Sequence, residues 1–364
     1  MAQPQPRPGV MDIPLYIGGE SKIKGVSRVI KLSSNEAALG PSPKAVAAYT
    51  DVQGVLSRYP VGDYPPLREA IGEVHGLDPA RVICGCGSDE ILNLVCRAYA
   101  GPGDEVIHTT HAFAIYEIYA RSVGATPIAV AEKGITTDVD AILAAVTPNT
   151  KIVFLANPNN PTGTYIPKAE LTRLRAGLRE DIVLVVDGAY AEFCTAADYD
   201  SGLDLARETT NTVATRTFSK IYGIAALRVG WGTAAASIIG ALERLRAPFN
   251  VSIPAQMAAT AAVLDQEHIK KAQAHNTKWM GVAVQRLRGL GLTLRGNQAN
   301  FVLPEFPASG PKTAAACDAF LRTKGIIVRR VDGYGLPNAL RMSIGNDEET
   351  TALLDAVEAF MRQP

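Results

Sequence analysis

Between positions 81 and 218 short β-prone runs alternate with segments of helical length: the runs occupy 82–84, 105–107, 127–130, 152–155, 182–186 and 213–215. That rhythm admits few folds, because a strand, a helix and a second strand form a crossover unit, and a series of such units builds a parallel sheet with helices on both faces. The clearest unit joins the runs at 152 and 182 through residues 168–179, where Leu171, Leu174 and Leu178 recur at helical spacing. Both flanking runs are apolar without alternation, as in strands covered on two sides. The expected fold class is therefore α/β, with a large domain whose mostly parallel central sheet is sandwiched by helices.

After Pro254 the pattern changes to a long helical stretch through Leu287. It is followed by Asn300-Phe301-Val302-Leu303, a helix near 314–323, Ile326-Ile327-Val328, Leu340-Arg341-Met342-Ser343-Ile344 and a terminal helix. This is a smaller α+β domain. The first forty residues are turn-rich, with Gly18-Gly19, Gly25 and Gly40-Pro41, and read as an arm. The expected division is an arm over 1–40 that packs on the small domain and active site, a large domain over 41–264 and a small domain over 265–364.

Composition narrows the partners. With 36 Lys+Arg against 36 Asp+Glu there is no cationic surplus to meet a phosphate backbone, so small molecules rather than nucleic acid are expected. The longest uncharged apolar stretch, 229–242, is shorter than the roughly 18 residues of a membrane span. Residues 1–14 carry prolines at 4, 6, 8 and 14 and no apolar signal core, so the cytoplasm is the expected compartment. The five cysteines contain no C-x-x-C pair and the five histidines are scattered, which predicts reduced thiols and no metal.

In open parallel sheets ligands sit beyond the carboxyl ends of the strands, so the residues after each run matter most. Gly85-Cys86-Gly87-Ser88-Asp89-Glu90 leads into a helix, whose N-terminal N–H groups suit a phosphate; Ser88 or Asp89 could equally be an ordinary cap. A dinucleotide fingerprint is disfavoured, because Glu90 stands where its third glycine belongs. Asn157-Pro158-Asn159-Asn160-Pro161-Thr162-Gly163 is a rigid turn able to aim an amide into the crevice, or a plain loop. Asp187 ends a buried strand, where a carboxylate is costly unless a cation meets it or it caps a helix. Lys220 closes Thr217-Phe218-Ser219-Lys220, eight residues before Arg228. A desolvated amine there would have a lowered pKa and attack a carbonyl; a solvated surface lysine is the plain alternative.

Taken together, the Asn157–Gly163 turn, Asp187-Gly188-Ala189-Tyr190 and Thr217-Phe218-Ser219-Lys220 with Arg228 resemble the fold-type I pyridoxal-phosphate aminotransferases over almost the whole chain. Leu32-Ser33-Ser34-Asn35-Glu36, Gly40-Pro41-Ser42-Pro43, Arg58-Tyr59-Pro60, Gly87-Ser88-Asp89-Glu90 and Gly325–Arg329 with Leu340–Gly345 resemble the histidinol-phosphate branch of that family. The resemblance implies pyridoxal 5'-phosphate held covalently by Lys220, which also serves as proton-transfer base. It further implies Asp187 against the pyridine nitrogen, Tyr190 and Asn160 on the 3′ oxygen, and Phe113 stacked on the ring. Phe113 alone could equally be core.

The phosphate would be met by the N–H groups of Ser88 and Asp89, by Thr217, Ser219 and Arg228, and by Tyr59 of a neighbouring subunit, implying a homodimer with shared active sites. Substrate residues would be Tyr16, Asn35, Arg329 and Arg341; read alone, Arg329 and Arg330 could be an exposed strand-end pair. The implied partners are a small-molecule amino donor and a 2-oxo acid, specifically L-histidinol phosphate and 2-oxoglutarate in histidine synthesis. An aromatic-amino-acid aminotransferase, a threonine-phosphate decarboxylase and a cofactor-sensing transcription regulator are the alternatives; the last needs a DNA-binding module that the arm is too short to hold. The chain departs from the family pattern at Ala37-Ala38, after Asn35-Glu36, and at Ala226, two before Arg228.

Overall fold

A computed structural model describes residues 3–16, 18–26 and 28–363; Ile17, within the arm motif around Tyr16, lies outside the described residues. In chain order the strands are β1 (Ile30–Lys31), β2 (Val82–Gly85), β3 (Glu105–Thr109), β4 (Thr126–Val130), β5 (Thr150–Ala156), β6 (Val183–Asp187), β7 (Thr212–Thr217), β8 (Gly230–Thr233), β9 (Phe301–Val302), β10 (Ile326–Ile327), β11 (Arg329–Arg330) and β12 (Leu340–Ser343). Seven of them form the main sheet in the order β2-β8-β7-β6-β5-β3-β4, parallel except at β8, which runs antiparallel to both neighbours.

Alternate side chains of the central strands enter different cores, as the period of two requires. Phe154, Val183 and Val185 pack on one face, whereas Val153, Leu155, Leu184 and Val186 pack on the other. Each expected run lies in a strand of this sheet, save that Ile182 stands just before β6. β8 is not expected from the sequence: two glycines, poor strand formers, flank Trp231, and the segment reads as part of one apolar stretch with the helix Ala236–Leu245. The two glycines are needed there for close packing; a Cβ at Gly232 would come within 3.1 Å of the Ile91 side chain.

The expected long helix after Pro254 is two helices, Ile253–Leu264 and Gln266–Gly289, separated at Asp265. The second of these passes between cores. Ile269 and Ala272 pack with residues of the main sheet, while Trp279, Met280, Ala283 and Leu287 join a separate cluster with Val302, Leu321, Leu340 and Phe360. Strands β11, β12 and β9 form an antiparallel sheet against that second cluster. The arm is tied to it: β1 pairs parallel with β10, and Leu32 is buried in the same cluster. Among the described residues no helix is long and apolar enough to cross a membrane, and the five cysteines are unpaired thiols.

Candidate active site

Register assembles the site's floor. Parallel pairing sets Ala156 beside Asp187 and Asp187 beside Thr215, so three strand ends meet at one level below a cleft of about 910 Å³, open mouth included. Of the sequence-derived candidates, Tyr16, Asn35, Ser88, Asp89, Phe113, Asn160, Asp187, Tyr190, Thr217, Ser219, Lys220, Arg228, Arg329 and Arg341 all line it. Tyr59 does not. It is 81% exposed and stacks on Phe249 with ring centroids 4.8 Å apart, outside the cavity of its own chain.

Lys220 follows β7, its ammonium donating to the Ser34 carbonyl at 3.2 Å and lying 5.6 Å above the Tyr190 ring. Burial, reinforced by the positive charge of Arg341, lowers its pKa to about 8. At neutral pH about a tenth of this amine is unprotonated, against well under a thousandth for an exposed lysine. A surface role for Lys220 is thereby set aside.

Asp187 caps β6 and is 5% exposed. Tyr116 donates to its Oδ2 at 2.7 Å and Thr215 to its Oδ1 at 3.1 Å, with a further backbone donor from Ala189. Burial raises its pKa, and these donors oppose the rise by favouring the carboxylate. Among the described residues no cation pairs with it, so a buried carboxylate faces the cavity with neutral partners only. Tyr116, three residues beyond Phe113, is a member of the site that the sequence does not single out. The two rings meet edge to face at 6.0 Å, but the hydroxyl's partner lies 71 positions away, and no local pattern announces it.

The helix Ser88–Tyr99 begins after Gly87, at φ +82°, with no side chain capping its N-terminus. Ser88 and Asp89 are therefore not the caps they could have been, and the first-turn N–H groups stay available at the helix's positive end. Arg228 lies over this end, bonded to Ser219 Oγ at 3.0 Å and Asp89 Oδ2 at 3.2 Å. Glycine suits position 87 because the backbone there takes φ +82°, and a Cβ would also crowd Arg228 Nη2 at 2.5 Å. Thr217 Oγ1 accepts from the Ser219 N–H at 3.1 Å, shaping the turn below. Helix end, Arg228 and hydroxyls make an anion cradle.

At the opposite end β11 and β12 place Arg329 directly across from Arg341. Like charges in such register repel unless an anion joins them. Arg341 is 6% exposed, donates to Asn160 Oδ1 at 2.6 Å and to the Ser33 carbonyl at 2.8 Å, and leaves its Nε without a partner. Both bonded partners are neutral, and burial disfavours the charge. Asn160 thus faces Arg341 and is not hydrogen-bonded to Tyr190; the amide on Tyr190 is that of Asn35, at 3.0 Å. Arg329 donates to the Gly18 carbonyl at 2.8 Å, which ties the arm over the cleft, while Arg330 turns away to pair with Asp332. Tyr16 packs edge-on to Phe113 at 6.1 Å.

Comparison with known proteins agrees with this layout. The family described as aminotransferase class I and II matches residues 27–357. A histidinol-phosphate aminotransferase of Rhodospirillum rubrum is 54% identical over 358 residues, 98% of this chain and 97% of that protein. One of Dinoroseobacter shibae is 55% identical, over 100% of this chain and 99% of that protein. Among solved structures, the histidinol-phosphate aminotransferase from Sinorhizobium meliloti, in complex with pyridoxal-5'-phosphate, superposes with a TM-score of 0.90 at 25% identity, covering 99% of this chain and 98% of that one. A strand-end lysine and acid beneath paired arginines, on a sheet that matches these structures and within a sequence that matches this family over most of its length, lead to one assignment: the chain belongs to the aminotransferase class I and II family.

Proposed function

We propose that the protein is a pyridoxal-phosphate-dependent transaminase that moves an amino group between L-histidinol phosphate and 2-oxoglutarate, the reaction its curated relatives are named for. One observation carries the reading: a half-buried lysine of lowered pKa shares a cleft with a buried carboxylate that, among the described residues, meets no cation and a buried arginine that meets no anion. Separated unpaired charges of opposite sign are costly in a protein interior, and a ligand bearing a cationic ring nitrogen at one end and an acidic group at the other neutralises both. The uncapped helix end beneath Arg228 adds a place for the cofactor's phosphate. The residues present therefore fit pyridoxal phosphate.

When bound, the cofactor supplies a protonated ring that takes up the electron pair left as a proton leaves the amine-bearing carbon. The chain's residues do the remaining work. Lys220 would hold the aldehyde covalently and carry the migrating proton on Nζ, a task suited to an amine titrating near the working pH. Asp187, whose carboxylate form Tyr116 and Thr215 favour against the effect of burial, would hold the ring nitrogen's proton. Ser88, Asp89, Thr217, Ser219 and Arg228 would anchor the phosphate while the covalent link to Lys220 is exchanged. Phe113 would cover the ring, Asn160 and Tyr190 would flank its 3′ oxygen, and Tyr16 would close over the substrate. Arg341, seconded by Arg329, would bind the carboxylate of glutamate or the phosphate of the amino alcohol in turn.

The same reading makes the protein a homodimer in which Tyr59 reaches the partner's phosphate site. Support comes from an apolar surface around it: Leu56 is 71% exposed, Val61 61% and Phe249 50%. The division into arm, large domain and small domain is supported by the cluster of Trp279, Leu321, Leu340 and Phe360, which is separate from the clusters packed on the main sheet.

The test is a two-substrate comparison on cofactor-loaded protein. Histidinol phosphate is expected to exceed phenylalanine in kcat/KM by roughly tenfold or more, because phenylalanine brings Arg341 only a singly charged carboxylate where histidinol phosphate brings a phosphate with more charge and three acceptor oxygens. Equal values would make the chain an aromatic-amino-acid transaminase, and carbon dioxide release without an oxo acid would make it a decarboxylase.

A further inference from the structure

We propose that Asn35 is a positioning residue for Tyr190: held by Ser343, its side-chain amide donates to the phenol oxygen and leaves the phenol proton to be given into the cavity. The inference rests on the placement of Tyr190 beside the cofactor's 3′ oxygen, and goes beyond it by naming what sets the phenol's polarity.

Asn35 is 1% exposed and takes φ +56°, a left-handed backbone that asparagine tolerates better than most residues. Its Nδ2 lies 3.0 Å from Tyr190 Oη. Its backbone N–H donates to Ser343 Oγ at 2.9 Å, and the same hydroxyl donates to Asn35 Oδ1 at 2.9 Å. Asn300 adds a bond to the Asn35 carbonyl at 3.1 Å. Hydroxyl chemistry fixes the amide's orientation. Ser343 Oγ already accepts from the Asn35 N–H, so its own proton needs an acceptor, and only Oδ1 supplies one; turning the amide over would strand that proton. Nδ2 must then face Tyr190 as donor.

A phenol oxygen that accepts a hydrogen bond keeps its own proton free for another acceptor, and among the described residues none takes it. It is available to a ligand in the cavity, and the donor from Asn35 makes it a stronger hydrogen-bond donor by stabilising negative charge on oxygen. Lys220, Arg341, Asp187 and Asp89 also act on Tyr190, and none belongs to this chain of bonds. The links span 155 and 308 positions of sequence, so the arm and the C-terminal sheet jointly determine the state of a residue on the main domain.

The experiment compares Asn35→Gly with Asn35→Asp, both compatible with the positive φ. Glycine deletes the donor, whereas aspartate keeps the shape but presents acceptors that draw the phenol proton away from the cavity. Asn35→Gly is expected to lose about three- to tenfold in kcat, and Asn35→Asp distinctly more. The midpoint of the visible-absorbance pH titration of the cofactor-loaded protein is expected to rise in both, more in the aspartate variant. In a Tyr190→Phe background the difference between them should vanish. Ser343→Ala, which leaves the arm intact, should move the same midpoint in the same direction by a smaller step. A packing role alone predicts the reverse order, with the near-isosteric aspartate the milder change, and that order or an unmoved midpoint overturns the proposal. If the wild-type protein shows neither absorbance on Lys220 nor transamination, the reading of the whole site fails; if it shows both and the variants are unmoved, only this proposal does.

Discussion

Replacing Tyr116 by phenylalanine removes one oxygen atom and tests how the buried acid is controlled. The ring is fully buried, stacks on Phe154 with centroids 4.7 Å apart and keeps that packing as phenylalanine. What disappears is the 2.7 Å hydrogen bond to Asp187, the shorter of its two side-chain donors. Hydrogen bonds to charged groups contribute about 1.5–3 kcal/mol, so the carboxylate form is disfavoured by that order. If Asp187 must be ionised to hold the ring nitrogen's proton, kcat/KM should fall roughly 10- to 100-fold near neutral pH. The sign of the pH effect follows. Burial already raises the Asp187 pKa and Tyr116 restrains it, so its loss raises the pKa further. Activity that depends on the carboxylate is then lost at a higher pH as the solution is acidified, and the acid limb of kcat/KM shifts upward. The assay is steady-state transamination from pH 5 to 9, paired with cofactor affinity by fluorescence titration. A variant within twofold of wild type, with an unmoved acid limb, would show that Tyr116 does not govern Asp187.

Other outcomes are equally specific. Lys220→Ala should abolish turnover, and borohydride, which fixes the cofactor to the wild-type side chain, should trap no adduct in the variant. In cofactor-free wild-type protein, reaction of Lys220 with an aldehyde should rise as pH increases through about 8, where the desolvated amine loses its proton; a midpoint near that of an exposed lysine would refute the desolvation account. Arg341→Lys cannot supply three donors in a plane, so KM for both acidic substrates should rise roughly tenfold or more while cofactor affinity stays within a factor of two. Mixing inactive Tyr59→Ala with inactive Lys220→Ala protein should restore up to a quarter of wild-type activity if one subunit completes the other's site; no recovery after subunit exchange would place Tyr59 elsewhere.

Much of this layout is legible in the sequence. Lys220 and Asp187 stand out because ionisable groups at the ends of buried strands are expensive, and a chain tolerates them where a ligand offsets the cost. The parallel sheet was legible because strands covered on both faces need unbroken apolar runs. β8 was not, since two glycines that serve contact with a neighbouring helix carry no strand signal of their own.

Local pattern, then, determines the α/β architecture and the family and singles out the ionisable groups at the strand ends as candidates, because each depends on residues close together in the chain. Folding alone decided which polar groups meet. Asn35 reaches Tyr190 and Ser343, Asn160 faces Arg341, and Tyr116 reaches Asp187, across 71 to 308 positions of sequence. A hydrogen bond requires atoms within about 3 Å, and nothing in a sequence encodes that proximity until the sheet's register and the docking of the arm have been set.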